Sequence, residues 1–432
     1  MPVFDINALV QEADARTEEI VSLASELIRI DSQNNPPYGQ EGPCQAWVHD
    51  FLCAAGVESR IVSLDQAPGL ADHPLYWSGR DYANRPNVLA RLSGSGNGRS
   101  LLFSGHIDTM PPSPGTWRFG PFTPHLENGD LYGLGACDMK GGLAAALFVL
   151  KLFRERRLKP GADLLFESVV DEEHAGCNGT LANRLLGHQA EGAVLPEPSG
   201  LELYTAHKGF RIVHVRLKGK GGISFSSEKP VNPVEYVGEL VAAMQDFRAL
   251  RARSVAAPAA YADDPDPVPV MLPKLQAGEF GFRVPMQIPE DLCLEVYWQT
   301  LPGETQGAVE KQFFDFMEER LAGTALARHL KVEYSFSLRW MPGTEVSPAH
   351  PFVATTREAL AATLDCPPVV RGAPYPCDLF VFNHFGIPAV VLGPRGRNPH
   401  APDEQVEVAS LRALAGTFLR LTAAWCGLEE CR

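Results

Sequence analysis

The chain has 432 residues, 45% hydrophobic and 21% charged, and a net charge of −14 at pH 7 with His neutral. That length exceeds one typical domain and the composition is ordinary for a globular protein, so two domains are expected. The acidic balance, with no basic block and no aromatic–basic stripe, argues against nucleic acid or an anionic membrane as partner, and no apolar run reaches the roughly 18 residues of a membrane span.

Residues 5–30 carry Leu9, Val10, Ile20, Leu23, Leu27 and Ile28 at helical spacing and end before the turn-rich DSQNNPP. A second amphipathic helix is expected over Pro43–Ala55, stopping at Gly56, and short strands near Glu58–Leu64, Asn87–Leu92 and Ser100–Ser104. Gly141–Arg156 reads as a helix with a broad apolar face. Asp163–Val170 and Gly192–Leu195 read as buried strands. Strands alternating with helices of this length predict an α/β catalytic domain, its mixed, mostly parallel sheet flanked by helices.

The pattern changes near His207. Phe210–Lys218 alternates like a half-exposed antiparallel strand. A helix at Pro233–Leu250, a Pro/Ala/Asp-rich loop at Ala256–Pro269, a strand at Asp291–Trp298, a helix at Thr305–Ala322 and a strand at Lys331–Leu338 complete an α+β unit. From about Met341 the first pattern returns, with helix Pro351–Leu364, strand Ala389–Leu392 and helix Ser410–Trp425. The expected organisation is a catalytic domain over 1–208 and 340–432, interrupted by a smaller α+β domain over 209–339. The first twenty residues lack the basic and apolar segments of a secretory signal. Nine cysteines without CxxC spacing read as separate thiols rather than a disulfide framework, so a cytoplasmic location is expected.

Chemistry concentrates in Ser104–Gly142. The run LLFSGHID is a short buried strand by composition, so His106 and Asp108 emerge at its C-terminal end, where open α/β sheets bind ligands. Asp108, two residues on, points the same way as His106 and is placed to accept its second ring proton. Asp138 follows in GACDMKGG. In VVDEEHAGCNGT, Glu172 and Glu173 leave a buried strand in different directions, which suits one ligand and one base. Glu197 ends another strand in LPEPSG, and His400 lies in the loop GPRGRNPHAPDEQ. Mixed His/carboxylate ligation suits Zn²⁺, with Mn²⁺ or Co²⁺ as alternatives, and a carboxylate such as Asp138 could bridge two ions.

In order, SGHIDT, DMKGG, DEEHAGCNGT, EPS and PHAPDE resemble the co-catalytic zinc family of acetylornithine deacetylase, succinyl-diaminopimelate desuccinylase, aminoacylase and glutamate carboxypeptidase. The resemblance covers nearly the whole chain. It implies that His106, Asp138 and Glu197 hold one metal and that Asp138, Glu173 and His400 hold the other, with Asp138 bridging. Glu172 is then the general base for the attacking water and Asp108 the partner of His106. It also implies a homodimer formed through the inserted domain and a small-molecule substrate.

Three positions depart from the family pattern, all in the inserted domain. Phe225 stands where a lid His is expected, Phe282 where an Asn often precedes Pro, and Gln299 where an Arg commonly helps to hold a substrate carboxylate. A lost oxyanion donor typically costs on the order of 10²–10³ in rate. Replacement cations for a carboxylate are Arg283, Arg395 and Arg397. Hence the expected function is di-metal hydrolysis of a small amide-like C–N bond, in an N-acyl amino acid or dipeptide-like substrate. The alternatives are hydrolysis of another C–N bond, such as aromatic amine deamination, and a metal-binding dimer without turnover. A base at Glu172 argues against the last.

Overall fold

The computed structural model describes residues 5–430, apart from 224, 226 and 281–286. The expectations for Phe282 and Arg283 therefore lie outside the described residues. The chain divides into two compact units. Unit 1 takes residues 1–206, 345–373 and 377–432; unit 2 takes 207–344 and 374–376.

Unit 1 begins with two helices where one continuous helix was expected, α1 (Ile6–Ala15) and α2 (Thr17–Arg29). The Asp5 carboxylate caps α1 by accepting the Asn7 N–H. The break falls at Arg16, whose N–H bonds to Ala13 O, while the Thr17 hydroxyl takes the Asp14 carbonyl. Local bonds of this kind compete with the i→i−4 ladder. Helix α2 buries Ile20, Leu23, Ala24, Leu27 and Ile28, the i, i+3, i+4 stripe of a surface helix. Helix α3 (Gly42–Ala54) precedes the sheet.

Among the described residues the large sheet has nine strands. Those preceding unit 2 are β1 (Glu58–Val62), β2 (Asn87–Leu92), β3 (Leu101–His106), β4 (Leu164–Val169), β5 (Ala193–Leu195) and β6 (Leu203–His207). In unit 2 come β7 (Gly209–Lys218), β8 (Val270–Gln276), β9 (Asp291–Thr300) and β10 (Lys331–Phe336). The sheet of unit 1 resumes with β11 (Thr344–Glu345), β12 (Val370–Ala373) and β13 (Ala389–Val391). Its order is β11-β6-β13-β5-β3-β4-β2-β1, with β12 also paired to β6. The four central strands β13, β5, β3 and β4 run parallel; on one side β2 pairs antiparallel with β4 and β1 antiparallel with β2, and on the other β6 pairs antiparallel with β13. Every residue of β3, β4, β5 and β13 is buried, as parallel strands between helices require. Helix α4 (Gly141–Glu155) is buried almost throughout, packed against α2 and the long C-terminal helix of Val408–Cys426.

Unit 2 is an antiparallel sheet in the order β8-β9-β7-β10, with helices at Val237–Ser254 and Gln306–Leu321. Alternate residues of two strands, Val213, Val215 and Leu217 of β7 and Leu292, Leu294, Val296 and Trp298 of β9, supply its core with Phe247 and Phe313. Trp298 is a buried core residue, stacked on Phe313. The edge strand β8 falls between the expected loop and the expected strand at Asp291–Trp298, where the sequence pattern assigns no element. It carries Pro273, and its register shifts between Met271 and Lys274, which masks the alternation.

Candidate metal centre

The four parallel strands end on the same edge of the sheet, and each delivers chemistry there. Strand β3 ends at His106, β4 runs into Asp171–Glu173, β5 into Glu197, and β13 into the loop that carries His400. Asp138 comes from the turn 136–140 that opens α4. Close packing aligns these pieces. A Cβ at Gly142 would sit 2.2 Å from Pro196 O, so glycine lets the start of α4 meet the segment holding Glu197.

The two oxygens of Asp138 face different partners. Oδ1 lies 3.2 Å from His106 Nε2, and Oδ2 lies 3.3 Å from His400 Nε2. His106 Nε2 is also 3.6 Å from Glu197 Oε1 and 4.0 Å from Glu172 Oε2, while His400 Nε2 is 2.7 Å from Glu173 Oε2. Ligand atoms of His106, Glu172 and Glu197, and of His106, Asp138 and Glu173, lie within 4.8 Å of one another. His106 and Glu197 are buried, and the His400 ring is half exposed at the rim.

Electrostatics reveal what this cluster lacks. Burial pushes the carboxyls of Glu172 and Glu173 upward, Glu172 well above the usual range, and raises Glu197 to about 7. Burial opposes charge on His106 as well, yet Glu197 and Asp138 hold its imidazole well above the ordinary value. His400 is raised to about 11, against its burial, by Asp138 and Glu173. Were all four carboxyls ionised and both imidazoles protonated, four negative charges would face two positive ones. Two divalent cations would remove that deficit, and the donors, imidazole and carboxylate, are those of such ions.

Around this cluster the backbone is held by side chains. His106 Nδ1 lies 2.9 Å from the Asp108 carbonyl oxygen and 3.7 Å from the Asp108 carboxylate. A carbonyl only accepts, so Nδ1 carries the hydrogen and Nε2 faces the other ligands. This corrects the expectation that the Asp108 carboxylate takes that proton. The carboxylate is occupied instead by the N–H groups of Glu172 and Glu173 and by Asn34 Nδ2. Glu404, missed in the sequence, accepts from the N–H groups of Gly135, Cys137 and Asp138 and so fixes the turn of Asp138. Lys140 is buried, its Nζ donating to the carbonyls of Leu27 and Ile30 at the end of α2.

Two of the residues considered for substrate binding, Arg395 and Arg397, belong to unit 1. Arg395 is committed to both oxygens of Glu407. Arg397 is exposed on a short strand. Within unit 2, Gln299 donates to Pro374 O at 3.1 Å and bonds the Tyr297 hydroxyl, and Phe225 is 84% exposed. Asp378, at the start of helix Leu379–His384, accepts from the Thr180 hydroxyl at 2.5 Å.

A family model described as peptidase family M20/M25/M40 matches residues 102–424. The N-formyl-4-amino-5-aminomethyl-2-methylpyrimidine deformylase of Bacillus subtilis is 26% identical, over 98% of this chain and 99% of its own. The acetylornithine deacetylase of Salmonella arizonae is 28% identical, over 79% of this chain and 84% of its own. In fold, the dipeptidase Dug1p of Saccharomyces cerevisiae aligns over 98% of both chains with a TM-score of 0.76 at 13% identity.

Proposed function

Since the chain belongs to the peptidase family M20/M25/M40, a family of metal-dependent hydrolases of amide-like C–N bonds, we propose that it deacylates a small N-acylated amine with Glu172 as general base. The observation that carries this reading is the split orientation of Asp138, one oxygen toward His106 and Glu197, the other toward His400 and Glu173. His106, Asp138 and Glu197 would hold one ion and Asp138, Glu173 and His400 the other, zinc being the ion this donor set suits best. When bound, the ions polarise the scissile carbonyl and make water acidic enough to attack near neutral pH. Glu172 accepts one proton from that water as its oxygen bonds to the carbonyl carbon. The C–N bond then breaks, and Glu172 delivers the proton to the leaving nitrogen.

For the substrate, Gln299 supports a molecule without a carboxylate to be clamped. It carries no charge and its amide is engaged by Pro374 and Tyr297. The end-to-end similarity to a deformylase of an aminopyrimidine points the same way. N-formyl or N-acetyl heteroaromatic amines are therefore the favoured class over N-acyl amino acids and dipeptides. We further infer a cytoplasmic homodimer formed through unit 2, testable by light scattering.

The deciding experiment is metal content with turnover on a panel of acylated heteroaromatic amines, N-acyl amino acids and free aryl amines. Two ions per chain and release of the acid from the first class are expected. Glu172→Ala should retain both ions and lose turnover by about 10²–10⁴-fold, the usual contribution of a general base. Ammonia release from free aryl amines instead would establish deamination, and unchanged turnover in Glu172→Ala would refute the mechanism.

A further inference from the structure

Strands β1 and β2 are antiparallel neighbours, with Val62 opposite Asn87, and a hairpin there needs only about two to five linking residues. Residues 63–86 link them instead, and part of this segment forms a strap against the loop that carries Glu172 and Glu173. The Trp77 N–H donates to Asn178 Oδ1 at 3.0 Å, and Asn178 Nδ2 returns a bond to Trp77 O at 2.8 Å. The Arg80 guanidinium stacks 3.9 Å from the centre of the Trp77 ring and donates to His174 O at 3.1 Å.

Asp171 is where strap and loop meet. It directly precedes Glu172, is fully buried, and has φ +67°, a conformation that a non-glycine residue keeps only when its surroundings impose it. The Tyr82 hydroxyl donates to its carboxylate at 2.6 Å and Asn34 Nδ2 at 3.2 Å; Arg80 and Arg85 stand at 3.7 and 3.6 Å. Glu41 grips Arg85 through two bonds, at 2.8 and 2.6 Å. The same Asn34 amide bonds Asp108, which holds the N–H groups of Glu172 and Glu173. From the far side, a Cβ at Gly176 would lie 2.7 Å from Asp171 Cγ, so the loop closes tightly on this one side chain.

We propose that Asp171 is a positioning residue, held by Tyr82 and Arg80 of the strap, whose left-handed backbone sends Glu172 and Glu173 to their separate places. The inference rests on the roles given above to those two glutamates. It assigns the strap a purpose that the β1–β2 connection alone does not require. A displacement of about 1 Å at a base can cost on the order of 10² in rate.

The test uses the full-length chain with three substitutions, reading Zn²⁺ affinity of the metal-free protein separately from kcat and KM. Asp171→Ala removes every side-chain contact, and alanine disfavours positive φ. Asp171→Asn keeps the shape and an acceptor for Tyr82, and asparagine tolerates that conformation. Tyr82→Phe removes one hydroxyl. Asp171→Ala should lower kcat about 10–100-fold with KM within about three-fold, and weaken Zn²⁺ binding about 10–100-fold. Asp171→Asn should restore most of both, and Tyr82→Phe should lower kcat about five-fold. Wild-type kcat and Zn²⁺ affinity in Asp171→Ala would overturn the proposal, and where that variant does not fold, wild-type values in Tyr82→Phe would do so. A wild-type chain that binds two ions but cleaves no acylated amine would refute the functional reading, while the Zn²⁺ titrations would still judge the positioning one.

Discussion

Glu404 holds three N–H groups of the turn that presents Asp138, that of Asp138 itself among them. Burial, with Asp138 close by, raises its carboxyl to about 8. Glu404→Ala would leave those donors buried without an acceptor, a loss of roughly 2–5 kcal/mol at about 1–3 kcal/mol per orphaned group after partial relaxation. A lower Tm and weaker metal uptake are the expected readouts. Glu404→Gln should be milder, because one oxygen still serves Cys137 and Asp138. His400 gives a second prediction. A metal ion needs a neutral imidazole, and in the metal-free protein this ring holds its proton up to about pH 11. Because the folded value lies above the unfolded one of about 6.5, its contribution to metal-free stability is complete below that pH and fades only as pH rises through about 11. Metal uptake near pH 7 should therefore expel the protons of His400 and His106, together with those that the raised carboxyls of Glu172, Glu173 and Glu197 still hold. Calorimetry in buffers of different ionisation enthalpy would count them, and a count of zero would contradict the assignment. At this scale the candidate ligands stood out in the sequence because few residue types bind metals. Asn34, Tyr82, Asp171 and Glu404 did not, since their meaning lies in contacts between residues 74 to 269 positions apart. Asp108 was legible only in part, because a backbone carbonyl met the imidazole before its carboxylate could.

Between elements, glycine decides how closely the start of α4 can approach the segment after β5. Gly142→Ala gains about 1 kcal/mol of helix propensity, but its Cβ would collide with the Pro196 carbonyl and ring. Overpacking of this kind costs about 1–3 kcal/mol or more. The expected outcome is a net fall in Tm together with loss of metal affinity, as Glu197 is pushed aside; a stabilised variant with intact metal binding would refute the packing argument. Long, fully buried segments such as α4, β3 and β4 were readable from continuous apolar runs. Short ones such as β6, β12 and β13 offer too few residues to establish a period, and only β13 was anticipated. Strand β6 pairs with β13 through a register that no local pattern contains. The split between α1 and α2 was hidden for a different reason, since the apolar stripe continues across a break made by polar side chains.

Across the molecule, the chain leaves unit 1 at Ala206 and re-enters it at Glu345. These points are neighbours within unit 1, for the Val346 N–H donates to the Thr205 carbonyl at 2.8 Å. Replacing residues 207–344 by a short glycine linker should therefore leave a chain that folds cooperatively and takes up two metal ions, as far-UV circular dichroism and metal analysis would show. A polypeptide that is unfolded or devoid of metal would contradict the independence of the two cores. No helix among the described residues is long and apolar enough to cross a membrane. The bond between Thr205 and Val346 also has a historical consequence. A doorway whose two posts are already joined lets natural selection lengthen, trade or rewrite whatever stands between them while the hydrolytic machinery is inherited intact. Descendants of one ancestral gene can then diversify in what they recognise without reinventing how they cut.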